Sequence, residues 1–219
     1  MAEEKDTKFM TDKKIEDVTP NQLITEYLNN TSDLKDLDCI SERYDVVHRV
    51  LLLNDIDEAV ANAIAHLIRF WNMADKDIPV KDRTPIKLYI DSNGGSLVGA
   101  LTIADSIRLS KTPIYTINMG AAYSGGLLVF ICGHQRYAYP SASFLFHEGS
   151  TNPGGMDAGK FKNFSSYYEN LINKMRDYIL KLTKVDEELY DKKSRDDWWF
   201  FIDEAIDLGF CDYKLEEFI

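Results

Sequence analysis

A chain of 219 residues, 45% of them hydrophobic, can bury a full core in one large domain, and its composition is neither disordered nor collagen-like. The formal charge of −11 argues against a nucleic-acid partner, because phosphate binding needs concentrated Lys and Arg. No apolar run approaches the roughly 20 residues that span a bilayer, and the opening MAEEKDTKFM has no apolar signal-peptide core, so the expected setting is the cytoplasm with no membrane partner.

Residues 1–40 carry ten acids against five lysines, with few aromatics and a break at Pro20-Asn21. They are expected to form a mobile acidic extension, with one helical piece from Gln22 to Leu28, ahead of a domain over residues 41–219. Cys39, Cys132 and Cys211 are widely spaced and form no Cys-x-x-Cys pair, which fits reduced thiols rather than a disulfide framework or a zinc site.

From about Tyr44 the pattern alternates. Arg49 to Leu53 is a continuous apolar strand, and Asp57 caps a helix with Val60, Ile64, Leu67, Ile68 and Trp71 at helical spacing. A loop through Lys81 and Arg83 leads to a strand from Ile86 to Asp91. A helix from Ser96 then places Leu97, Ala100, Leu101, Ala104 and Ile107 on one face. Ile114 to Ile117 is a strand, Leu127 to Ile131 an apolar helical run, and a further strand ends at His147. Beyond the glycine-rich stretch Asn152 to Gly155, an apolar stripe from Phe161 to Leu182 predicts a long amphipathic helix, either an arm for a partner subunit or a helix packed on its own sheet, between which periodicity does not decide. This succession reads as an α/β fold with a largely parallel sheet, whose sites collect beyond the carboxyl ends of the strands.

Gly94, Gly95, Ser124 and His147 all fall at such ends. Ser124, in Met119-Gly-Ala-Ala-Tyr-Ser-Gly-Gly126, is the best candidate nucleophile, because free N–H groups at a helix start favour negative charge. His147 can serve as its base and Asp197 as the acid that orients His147, the set that serine acyl transfer requires. The N–H groups of Gly95 and Gly125 can hold an oxyanion. Each residue also has a structural reading: a serine beside glycines starts helices, a strand-end histidine packs or lies at the surface, and the adjoining Asp196 and Asp197 are solvated or cap the next helix. His48, His66 and His134 carry only structural readings, and Tyr123 is expected to pack or hydrogen-bond.

Taken together, the segments YIDSNGGS, NMGAAYSGG, FLFHEG and DDWWFFIDEAIDLGF, running in that order from about Arg49 to the C-terminus, resemble the proteolytic subunits of Clp proteases, the ClpP or S14 peptidase family. The resemblance implies a ClpP/crotonase-like fold of repeated β-β-α units with the long helix as a protruding handle. It implies a serine endopeptidase with Ser124, His147 and Asp197 as its triad and Gly95 and Gly125 as its oxyanion hole. Substrate would lie as an extended strand along Gly94, Ser96 and Leu97, within a homo-oligomeric chamber of two stacked heptameric rings. Unfolded polypeptide would be the substrate and an ATP-driven unfoldase a partner, with no metal and no cofactor. The alternatives are a catalytically silent ring or scaffold subunit that modulates a paralogue, and a crotonase-type acyl-CoA enzyme that shares the fold without the triad. Three departures stand out: Glu148-Gly149 replaces the family's usual Gln-Pro after the histidine, Ser92-Asn93-Gly94-Gly95 replaces Ser-Pro-Gly-Gly, and Tyr123-Ser124-Gly125 replaces a sequence with Met after the serine. Residues 1–40 also differ from the family's short apolar axial segment.

Overall fold

The computed structural model describes residues 45–149, 151, 154, 155 and 157–219, and the strand–helix alternation expected beyond Tyr44 runs through them. The acidic stretch 1–40, its helical piece, Cys39 and part of the glycine-rich loop lie outside the described residues. The chain divides into two units, Met1–Val50 and Leu51–Ile219. The described part of the first is short, with one helical turn over residues 45–47. The second unit carries the sheet and its helices.

Its strands are β1 (Val50–Leu53, of which Leu51 onward belongs to this unit), β2 (Ile86–Ser92), β3 (Ile114–Tyr123), β4 (Gln135–Ala138), β5 (Ser143–Phe146), β6 (Trp198–Phe201) and β7 (Tyr213–Lys214). They form one sheet in the order β1-β2-β3-β4-β7, with β5 pairing the far end of β3 and β6 pairing β5. The β2–β3, β3–β4, β3–β5 and β4–β7 pairings are parallel, and β5–β6 is antiparallel. β3 is longer than its apolar run suggested. Its first half pairs with β4, its second half, Ala121–Tyr123, with β5, and the β2 register shifts between Ile90 and Ser92. Polar side chains hold the irregular stretch in place of ladder bonds. Asp91 accepts from the Ala121 N–H at 3.0 Å, while the buried Asn118 accepts from Gly120 N–H and donates to the Ser143 carbonyl, each at 3.0 Å.

The helices are α1 (Glu58–Ala74), α2 (Leu97–Leu109), α3 (Gly125–Ile131), α4 (Ala158–Leu182), α5 (Glu187–Lys193) and α6 (Ile202–Asp207), with a 3₁₀ turn over Val80–Asp82. Asp57 caps α1 by accepting from Val60 N–H, and Ser96 caps α2 by accepting from Gly99 N–H. α1 buries Ala61, Ile64, Ile68 and Trp71, one stripe at helical spacing, against α2, whose Gly99 and Ala100 let the two helices come close. α3 is buried along its whole length and forms the centre of the core, beneath β3 and against α2.

α4 is 25 residues long and buries only Met175 and Ile179. Its C-terminal end is anchored: Tyr178 donates to Asp105 of α2, and Arg136 donates to the Leu182 and Gly209 carbonyls at 3.0 and 2.7 Å and to Asp212. Its N-terminal turns carry Phe161, Phe164, Tyr167 and Tyr168, none of them buried. This is the handle of the expected fold, beginning three residues before the predicted Phe161. α5, α6, β4 and β7 were not anticipated, because each is too short to show a period. The aromatic run Trp198–Phe201, left as a cluster by the sequence, is strand β6, with Trp198 and Phe200 inward and Trp199 and Phe201 outward.

Candidate active site

Two registers assemble the site. Parallel pairing of β3 with β5 sets Tyr123 beside Leu145, so the next residue, Ser124, emerges at the same end, with its N–H donating to the Leu145 carbonyl at 2.9 Å. Antiparallel pairing of β5 with β6 sets Phe146 opposite Trp198, so the next residues along the two strands, His147 and Asp197, face each other where the strands part. The His147 Nδ1 to Asp197 Oδ1 distance is 3.4 Å. Asp197 therefore reaches His147, whereas Asp196 lies one residue further along an exposed turn beside Lys192 and Lys193.

Ser124 has φ 52° and ψ −119°, a conformation that costs a residue with a Cβ about 1–3 kcal/mol. The strain comes from turning a strand into a helix within one residue, which lifts the side chain off the end of β3. Gly94 makes this turn possible. A Cβ there would stand 2.8 Å from Ser124 Cβ and 2.8 Å from the Tyr123 carbonyl, and its φ of +99° is itself a glycine conformation.

Gly95, at φ +136°, pairs with Ile56 in a parallel bridge in which Ile56 N–H donates to Gly94 and Ser96 N–H donates to Ile56. Those bonds occupy the Gly94 carbonyl and the Ser96 N–H. By strand alternation the N–H and carbonyl of Gly95 point the other way, toward the cleft that Gly95 lines together with Leu97, Ser124, Gly125 and His147. Gly125 is the first residue of α3, so its N–H has no acceptor within the helix. The cleft holds about 240 Å³, and Asn93, Glu148, Gly149, Tyr168 and Met175 complete its wall. Among the described residues Ser124 Oγ makes no hydrogen bond, and such contacts in unliganded sites often close only with substrate present.

Of the cleft's ionisable groups, Tyr168 is held above the ordinary phenol range by burial and stays protonated near neutral pH. Burial also pushes the Cys211 thiol up to about 12 and the Cys132 thiol higher than its usual range, so neither supplies a thiolate nucleophile. Burial lowers the His134 pKa, and its Nδ1 accepts from Ile114 N–H at 3.1 Å, a structural role. Tyr123 shares a 2.8 Å hydrogen bond with Ser143 and packs edge-on against Trp199. Ser92 is buried and accepts from Gly94 N–H, and Ser96 caps α2, so both hydroxyls have structural work. The sequence did not point to Asn93, Tyr168 or Met175 as cleft residues; Tyr168 and Met175 reach it only because α4 folds back beside His147. Among the described residues no group of three or more His, Cys, Asp or Glu is placed to hold a metal ion, and no helix is long and apolar enough to cross a membrane.

A family model described as Clp protease matches residues 35–217, starting some way before the Arg49 at which the motif resemblance begins. An ATP-dependent Clp protease proteolytic subunit from Leuconostoc citreum is 28% identical over 183 residues, covering 78% of this chain and 87% of that protein. Proteolytic subunit 1 from Corynebacterium jeikeium is 29% identical, covering 81% and 92%. Proteolytic subunit 1 from Streptomyces avermitilis is 31% identical, covering 76% and 75%. With the family's sheet, its handle helix and a match that spans most of its length, the chain belongs to the Clp protease family.

Proposed function

We propose that the chain is a serine endopeptidase that cuts unfolded polypeptide through an acyl-enzyme. The observation that carries this reading is the pair of registers that bring Ser124, His147 and Asp197 to one end of β3, β5 and β6. His147 Nε2 takes the proton of Ser124 Oγ as that oxygen attacks the scissile carbonyl carbon. The carbonyl oxygen becomes an oxyanion held by the N–H groups of Gly95 and Gly125. The imidazolium, steadied by Asp197 at Nδ1, passes the proton to the leaving amine as the C–N bond breaks. Water then repeats the sequence on the ester and frees Ser124. Substrate would run as a strand along the Gly94–Leu97 edge, using the Gly95 groups that Ile56 leaves free, so backbone bonding gives affinity with little dependence on sequence. A fluorophosphonate probe, followed by mass mapping of the adduct, tests the reading: the label is expected on Ser124 alone. A label on Ser92, Ser96 or Ser141 instead rejects the Ser124 assignment, and no label at all favours a silent ring subunit.

Gly95→Ala tests the oxyanion donor. Its Cβ would fall 2.2 Å from the Ile56 carbonyl oxygen, so the edge must move and the donor with it. Peptide cleavage is expected to fall about 10²- to 10³-fold, the cost of losing one such donor, in a protein that still folds by circular dichroism. A loss of less than about threefold removes Gly95 from the oxyanion hole.

Assembly follows from α4. Its first turns leave Phe161 about half exposed, with Phe164 one turn on along the same stripe, the kind of apolar surface that marks an interface. We place this helix between two stacked seven-membered rings that enclose the sites, with an ATP-driven unfoldase supplying substrate. Phe161→Glu together with Phe164→Glu is expected to split the double ring and reduce peptidase activity, because the segment after His147 leads directly into α4. Sedimentation velocity beside a peptidase assay decides it: a wild-type monomer with full activity overturns the assembly and the chamber.

A further inference from the structure

The cleft beside Ser124 has a charge that the acyl-transfer chemistry does not use. Glu148 follows His147 directly, is half-buried, and lines the cleft together with Ser124 and the two glycines. Among the described residues no lysine or arginine lines that cleft. Among the described residues Glu148 forms no ion pair; its carboxylate also faces the buried Tyr190 hydroxyl, and Arg176, over the Tyr190 ring, is already engaged with Glu187 at 3.4 Å and Asp191 at 3.8 Å. A carboxylate whose neighbour is a neutral hydroxyl, with no ion pair among the described residues, still favours a cationic group brought into the cleft it lines.

The remaining wall has a matching division. Leu97 and the buried Met175 are apolar, whereas the Asn93 amide, the Tyr168 hydroxyl and the Glu148 carboxylate each offer an oxygen acceptor. At about 240 Å³ the cleft takes one side chain rather than a larger ligand. A long side chain with a methylene stem and a cationic head fits both parts, its stem against Leu97 and Met175 and its head among the oxygens. An acidic side chain would meet Glu148 with like charge and no compensating donor beyond the Asn93 amide and the Tyr168 hydroxyl. The net charge of −11 adds an attractive field for basic segments.

We infer that Glu148 is a specificity-determining residue that makes this peptidase prefer a lysine or arginine on the acyl side of the scissile bond. The inference rests on the serine-peptidase reading, which places the acyl carbon at Ser124 and its side chain in this cleft.

The experiment compares kcat/KM for three fluorogenic peptides that differ only at that position, carrying lysine, norleucine or glutamate, on the assembled wild-type enzyme and on Glu148→Gln and Glu148→Lys. Norleucine keeps the stem and removes the charge. Wild-type enzyme is expected to prefer lysine over norleucine by about tenfold, Glu148→Gln to bring that ratio near one, and Glu148→Lys to favour glutamate over lysine. Because each ratio is taken within one protein, a general loss of activity in a variant cancels. A wild-type lysine to norleucine ratio of one or less overturns the inference, as does a ratio that survives in Glu148→Gln. Fluorophosphonate labelling of the wild type separates the two levels: Ser124 labelled without a lysine preference defeats the role of Glu148 alone, whereas no labelling defeats the peptidase reading and this inference with it.

Discussion

Ser124→Ala is expected to lower peptide cleavage by about 10⁴-fold or more and to abolish fluorophosphonate labelling, while the melting temperature stays where it is. The loss follows from removing the hydroxyl of the one serine that, among the described residues, lines the cleft with His147, Gly95 and Gly125, since a nucleophile's removal disables the unit it belongs to. Stability is spared because alanine and serine carry the same Cβ, and the strain at φ 52° belongs to the backbone and that Cβ, not to Oγ. The two readouts together separate catalysis from folding. Activity retained within tenfold would show that another group attacks.

Asp197→Asn is expected to be the next most severe change, at about 10²- to 10³-fold in kcat/KM. An amide at this position can donate to Nδ1 and so favours the tautomer in which Nε2 holds the proton and cannot accept one from Ser124. In a fully buried triad that loss reaches about 10⁴-fold. Here the Asp197 side chain is 58% exposed and 3.4 Å from Nδ1, so water screens its charge and can partly replace it, which sets the smaller figure. Asp196→Asn, on the neighbouring carboxylate that does not reach His147, is expected to stay within about threefold. Steady-state kinetics on the pair, with a pH profile for each, decides the matter: if Asp196→Asn is the crippling change, the orienting acid is one residue earlier.

The Ser124 environment was legible in the sequence because it is local. A strand-forming run, a serine between small residues and an apolar helical run lie within twenty residues, and the turn they require shows in their order. The same holds for the Asp57 and Ser96 caps and for the α1 and α2 stripes, where a side chain's partner is three or four residues away. The long helix was visible by period alone, though its start at Ala158 was not, because Asp157 caps it through a hydrogen bond that an aspartate after glycines does not announce. Short elements such as β4, α5 and α6 span too few residues for any period to emerge.

By itself the sequence determined the α/β alternation, the caps, the apolar faces and the residue types able to perform acyl transfer, since each depends on neighbours along the chain. Between the adjacent acids Asp196 and Asp197 the local sequence has no physical means of choosing, and Asp197 was named there by the family resemblance; in the tertiary structure the β5–β6 register, which puts Trp198 opposite Phe146, is what sets Asp197 against His147. Tertiary structure also supplies the reason that Gly95, the donor the sequence offered, turns its polar groups to the cleft, namely the bridge to Ile56, and it alone brings Tyr168 and Met175 to the wall beside Glu148. These are contacts between segments tens of residues apart, set by strand pairing and helix packing, and no local propensity encodes them.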